Sequence, residues 1–173
     1  RNRCTIAGPD GELALSIPTV KPDTLKCPMK DIRISDHGNW RHLHWNAIES
    51  AYNNTPFFEY YKDDFRPFYE KKYEFLIDFN EEICRLVCQL IDIQPNIERT
   101  SAYKMEFSAE ETDFRESIHP KKDFRTTDPE FSPQPYYQVF ESKLGFLPNL
   151  SIIDLLFNMG PESLLVLKKP TRL

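Results

Sequence analysis

From Ser35 to Phe58 the chain reads SDHGNWRHLHWNAIESAYNNTPFF, a stretch that holds three of its four histidines and both of its tryptophans. Trp40, Leu43, Ala47, Ile48, Ala51 and Tyr52 recur at intervals of three and four, the spacing that puts apolar side chains on one face of an α-helix. Ser35 or Asn39 can cap its start, and Asn53, Asn54 and Pro56 stop it. Such a stripe has to be buried, so other elements must pack on this helix. At about 100° per residue, His44 falls on the buried stripe, whereas His42, Asn46 and Glu49 point away. His42 and His44 therefore diverge by about 200°, and no metal site is expected from them. His44 is either a core histidine with its nitrogens satisfied or a general base. His37, in the turn before the helix, is either an ordinary turn residue or a freer acid–base group.

The remaining elements follow from local pattern. Cys4 to Val20 reads as a β-hairpin turning at Gly8-Pro9-Asp10-Gly11 and returning through Leu13, Leu15 and Ile17. Lys21 to Met29 is a proline-rich connector, and Ile32 and Ile34 suggest a short strand. Thr55-Pro56 opens another helix, whose aromatic residues Phe57, Phe58, Tyr60 and Tyr61 are either core or a stacking platform. From Pro67, a favourable first-turn residue, one long helix is predicted to reach Ile91. Ile97 to Phe107 reads as a strand. Ala109 to Pro135 reads as an exposed loop with a helical turn near Glu110 to Arg115. Tyr136 to Phe140 alternates as a strand would, and Leu150 to Met159 is a buried helix closed by Gly160 and Pro161. The expected fold class is α/β or α+β: a mixed sheet with an N-terminal β-hairpin, long central helices and a buried C-terminal helix.

Charge and cysteine usage exclude several functions. A net charge of −5 with no long basic run gives no footprint for nucleic acid or an anionic membrane. No apolar run approaches about 18 residues and no signal peptide is visible, so no membrane span and a cytoplasmic location are expected. The four cysteines contain no CxxC, and Cys84 and Cys88, one helical turn apart, read as two buried thiols in a reducing compartment. GxSxG, GxxxxGK and HExxH are all absent, so no nucleophile elbow, phosphate loop or zinc helix is implied, and the sequence leaves the cofactor unknown. Asp154 is the sole charge between Leu150 and Met159. A carboxylate in such a run must find partners or raise its pKa, which makes it a functional candidate. The competing reading is a capping box, Ser151-x-x-Asp154, with the carboxylate bonded back to the helix start.

Three blocks of the sequence resemble the bacterial WbqC-like protein family. They are Arg1-Asn2-Arg3 with the hairpin ending at Ile17-Pro18; the Trp40-Arg41 helix running through Tyr52 to Pro56-Phe57-Phe58; and Tyr137-Gln138, Phe146-Leu147-Pro148, Leu150 to Leu156 and Asn158. The resemblance implies one WbqC-like domain over 1–173 that lacks the family's opening Tyr-, Phe- and Pro-rich segment. It also implies a connection with surface polysaccharide biosynthesis. One function consistent with it is an enzyme that transfers a group to a sugar or sugar-nucleotide. Asn2 and Arg3 would then bind a carboxylate or phosphate together with Trp40 and Arg41. Asp154, His37 or His44 would supply acid–base chemistry, and Asn149 and Asn158 would orient the substrate. For Arg3 the competing reading is a surface salt bridge. The other function is a non-catalytic binding or assembly component using the aromatic patch from Phe57 to Tyr61.

Overall fold

The computed structural model describes residues 2–23, 27–118, 122–129 and 131–168. Arg1, three residues of the proline-rich connector and four of the loop expected over 109–135 lie outside them. The chain opens with the expected antiparallel hairpin, β1 (Arg3–Gly8) and β2 (Gly11–Ser16), in register from Arg3 opposite Ser16 to Gly8 opposite Gly11. Gly11 takes a φ of 124°, which the two-residue Pro9-Asp10 connection requires and a side chain would resist. The Ile17 amide extends the pairing by donating to the Asn2 carbonyl at 2.8 Å, while Asn2 Nδ2 donates to the Ile17 carbonyl at 3.0 Å.

The helices that follow are α1 (Trp40–Tyr52), α2 (Phe58–Phe65), α3 (Pro67–Glu70) and α4 (Leu76–Leu90). They are followed by α5 (Phe124–Thr127), α6 (Glu141–Leu144), α7 (Ile152–Met159) and α8 (Ser163–Lys168). The mixed α and β architecture, the hairpin and the buried C-terminal helix are as expected, but among the described residues the sheet is this hairpin alone. Four local expectations fail, each for a backbone reason. Ile97 to Phe107 and Tyr136 to Phe140 form no strand, since no neighbouring strand pairs with them. Ile32 to Ile34 forms bridges only, Ile34 to Thr19 and Arg33 to Phe75. That second bridge also splits the long helix predicted from Pro67: Ile34 donates to the Glu74 carbonyl and Leu76 to the Ile32 carbonyl, so the backbone around Phe75 is committed to an extended pairing.

Burial on α1 differs in detail from the sequence stripe. Trp40, His44, Trp45, Ile48, Ala51 and Tyr52 face inward, whereas Leu43 is exposed. Asn39 occupies the cap position without a capping side-chain bond, and Ser35 Oγ instead accepts from the His37 amide at 3.2 Å. The main core joins Ile6 and Leu15 of the hairpin to α1, α2, α4 and α7, with Phe157 at its centre. The Phe157 ring meets Tyr52, Phe58 and Phe65 edge-on at 5.2, 5.1 and 5.3 Å. A second cluster, including Ile17, Ile34, Trp40 and Phe79, lies where α4 meets the bridged segment.

Candidate functional site

Two features carry the polar chemistry of the molecule. The first is the fully buried Asp154 on α7. Its Oδ1 accepts from the Tyr52 hydroxyl at 2.8 Å, and its Oδ2 accepts from the Tyr136 hydroxyl at 2.7 Å and Gln138 Nε2 at 3.1 Å. Tyr52 in turn accepts from the Ala7 amide at 3.3 Å, so one carboxylate ties α7 to α1, β1 and the 136–147 segment. Gln138 is clamped on both sides: Nε2 donates to the Leu147 carbonyl at 2.9 Å and Oε1 accepts from the Leu147 amide at 2.8 Å. Asn158 completes the network, donating to the Asp154 carbonyl at 2.8 Å and accepting from the Val139 amide at 3.1 Å. Burial pushes the Asp154 carboxyl above its ordinary value, and the three donors oppose that shift. Burial and the adjacent carboxylate push both the Tyr52 and Tyr136 phenols far up, so they stay protonated and donate. A capping box is not formed, because the Asp154 side chain points to these donors and Ser151 makes no side-chain capping bond.

The second feature is a cleft along α4. A cavity of about 280 Å³ lies between β1, α1, α4 and the start of α7, and a larger one of about 1240 Å³ runs along α4 and the segment that follows it to Arg99. Arg3, Asn80, Cys84, Cys88 and Ile152 line both, so the two cavities meet there. In the larger one, Arg99 grips Glu81 through two bonds of 2.7 and 2.6 Å, and Arg85 lies within electrostatic reach of Glu81 and Glu82. Arg3, in contrast, makes no ion pair with any described residue, which leaves its planar set of donors facing the junction.

His44 lines the smaller cavity with Asn2, Cys4 and Tyr69. Burial holds its imidazole below the usual histidine value, opposed by a hydrogen bond to the Ser16 backbone. In the neutral ring that bond uses one nitrogen as donor and leaves the other as an acceptor. Burial pushes the Cys4 thiol up, opposed by a hydrogen bond with Ser151, and pushes the Tyr69 phenol up further. Both therefore stay protonated at neutral pH, and Cys4 is not an activated nucleophile. The arrangement thus offers a cation for an anionic group and a neutral base beside an apolar chamber. Among the described residues no group of three His, Cys, Asp or Glu side chains is placed to hold a metal ion.

The residues singled out from sequence fall into three places. Asn2, Arg3 and His44 converge on the cleft. Asp154 and Asn158 belong to the buried network. His37, Trp40 and Arg41 sit at the start of α1, where Arg41 stacks on Trp40 at 4.8 Å and donates to Asp36 at 2.6 Å. Trp40 Nε1 and Arg41 Nε and Nη2 are buried there with no partner among the described residues. Asn149, with φ at 57°, lines a separate cavity of about 200 Å³ with Tyr136 and Phe146. The two thiols expected to be buried are not: Cys84 is exposed and Cys88 half-buried, because the α4 face that carries them lines the cleft. Sequence reasoning missed Asn80, whose spacing with Cys84 and Cys88 at four and eight marks a polar stripe on α4. It also missed Tyr136, hidden in an apparent strand alternation. The aromatic patch is divided, with Phe58 in the core and Tyr60 exposed.

These features define an α+β domain built on a hairpin and a helical core, with a cleft between them that carries Arg3, which has no ion-pair partner among the described residues. The model of the WbqC-like protein family matches residues 1–119, and the chain belongs to that family. Two of the three resembling blocks fall in that range, and the third, over 137–158, follows it. No curated protein and no solved structure matches the chain. No helix among the described residues is long and apolar enough to cross a membrane.

Proposed function

We propose that this protein binds a sugar or sugar-nucleotide precursor of a surface polysaccharide in the α4 cleft and transfers a group to it. The observation that carries this reading is the convergence of the adjacent Asn2 and Arg3 with His44, remote from them in sequence, on one cavity system. Arg3 would hold a phosphate or carboxylate through its fork of donors. His44, neutral at pH 7, would accept the proton of the sugar hydroxyl or amine as it attacks the carbonyl carbon of an activated acyl donor. The donor's bond to its leaving group would then break, with the electron pair departing on that group. Asp154 and Asn158 would act one shell back, fixing α7 against β1 rather than touching substrate. His37, Trp40, Arg41 and Asn149 lie outside the cleft, and this reading gives them no part in it.

The test is a thermal-shift screen of nucleotide sugars, followed by titration and a transfer assay on each hit. A ligand that binds the native state alone raises stability with the logarithm of its concentration over Kd. Arg3→Ala should weaken the hit by about tenfold or more. His44→Asn should retain binding and lose transfer. Absence of any shift, or unchanged affinity in Arg3→Ala, would remove this function from the cleft. Turnover-free binding by a hit would instead favour the assembly-component alternative.

A further inference from the structure

The smaller cavity is built unlike the larger one. Leu15, Ile17, Phe79, Ile83, Val87 and Ile153 form its walls. Polar groups are few among them: Asn2 Nδ2 is taken up by the Ile17 carbonyl, which leaves mainly His44, Cys4 and Tyr69. A whole sugar ring, with a hydroxyl on nearly every carbon, would leave most of those groups without partners in such a chamber, even with one of them at His44. Water is also poorly served by apolar walls. The larger cavity offers the opposite lining, with Asn80, Gln89, Asn96 and the Arg99–Glu81 pair. Where the two meet stands Arg3, a cation with no ion-pair partner among the described residues.

We infer that the chamber and Arg3 together bind a single-chain anionic amphiphile, an alkyl phosphate or alkyl carboxylate, with the chain in the chamber and the head group on Arg3. An apolar cavity of about 150 Å³ takes a benzene ring. One of about 280 Å³ therefore suits a chain of about eight carbons. The inference rests on the reading of the cleft as the ligand site and adds the chemical class of one of its occupants. A long-chain phosphate and an acyl carboxylate share this chemistry, and their relative affinities tell the two sources apart.

Octyl phosphate and octanoate are titrated calorimetrically into the protein, beside octyl glucoside, which has the tail without charge, and glucose 1-phosphate, which has charge without the tail. One of the two anionic amphiphiles is expected to bind about tenfold or more tighter than either half-ligand. Arg3→Ala should lose that advantage while leaving octyl glucoside unchanged. Val87→Trp, which fills a wall of the chamber alone, should abolish uptake of the amphiphile and spare nucleotide-sugar binding. Should that variant not fold, alkylation of the unaltered protein gives the same answer, since a head group at the junction should shield Cys84 and Cys88 from iodoacetamide. Octyl phosphate and octanoate no tighter than glucose 1-phosphate, or alkylation unchanged by either, would overturn the inference. So would a dimer in solution that excludes both, which would assign the chamber to a second copy of the chain. Nucleotide-sugar binding without amphiphile binding defeats this inference alone, and the reverse result defeats the sugar reading alone.

Discussion

Removing the carboxylate of Asp154 should damage the fold more than any other single polar change. In Asp154→Ala the Tyr52 hydroxyl, the Tyr136 hydroxyl and Gln138 Nε2 all lose their acceptor. A buried donor left unpaired costs about 1–3 kcal/mol, with charge-assisted bonds at the upper end. Tyr136 is half-buried and Gln138 keeps the Leu147 carbonyl, so most of the loss falls on Tyr52. The sum is about 3–5 kcal/mol, about a fifth or more of the roughly 5–15 kcal/mol that holds a domain together. Asp154→Asn keeps the volume and one acceptor oxygen, and should cost about 1–2 kcal/mol. Urea unfolding followed by the fluorescence of Trp40 and Trp45 reads both.

The same variants carry a test of sign in pH. Burial raises the folded pKa of Asp154 above the ordinary value of 3.8, so the folded state holds this proton more tightly than the unfolded chain. The stability that this supplies is present below the unfolded value and is lost as pH rises through the folded one. An asparagine does not titrate, so the cost of Asp154→Asn should be larger at pH near 4 than at pH 7. An Asp154→Ala cost under about 1 kcal/mol would refute the clamp. An Asn cost equal to the Ala cost, or one smaller in acid, would refute the assignment of charge and donors.

Four other changes follow from the same geometry. His44, held below the ordinary 6.5 by burial, supplies stability above the unfolded value that is lost as pH falls through the folded one. Unfolding free energies measured from pH 7.5 to about 5 should therefore fall, and His44→Gln should flatten that slope. Gly160→Ala forces a Cβ to 2.4 Å from the Phe57 ring at a φ of 54°, and should cost more than about 2 kcal/mol in denaturant titration. Trp45→Ala should lose about 3–5 kcal/mol while the exposed Leu43→Ala stays within about 0.5 kcal/mol, the reverse of what the sequence stripe implies. Phe157→Ala, which empties the space between three aromatic rings, should lose about 3–5 kcal/mol in the same assay.

Legibility in the sequence followed the range of the interactions. The hairpin, α1 and α7 are written in local signals, namely a Gly-Pro-Asp-Gly turn, helical spacing and a Gly-Pro stop, and these survive into the structure. What failed depends on partners remote in sequence. Periodicity carried the predicted helix through Tyr73 because nothing local announces that Ile32 and Ile34 will take the backbone bonds around Phe75. Tyr136 to Phe140 alternates like a strand, yet that alternation serves the Asp154 network, with Tyr136 and Gln138 as donors two residues apart. Asp154 itself was conspicuous as the one charge in an apolar run. Its role was not, because a carboxylate that organises three donors and one that does chemistry leave the same trace in a sequence. Of the candidate site, Arg3 and His44 were legible as residue types, but their meeting is a product of the hairpin lying across α1.

The clamp and the cleft are mechanically one unit, and the division of the chain explains why. Residues 1–119, matched by the family model, supply Arg3, His44 and the α4 wall. The remaining wall is Ser151, Ile152 and Ile153, at the entrance to α7, beyond the match. That wall is held by the Ser151 amide donating to the Thr5 carbonyl at 2.7 Å, two residues along β1 from Arg3. One turn of helix further, Asp154 is bound through Tyr52 to the Ala7 amide of the same strand. Two successive ties thus fix the rotation and height of α7 against β1. A slip of α7 would move Ile153 out of the chamber and shift the strand that carries Arg3. On the proposed reading of the cleft, the buried carboxylate would act on ligand binding without approaching the ligand, by holding the α7 wall against β1.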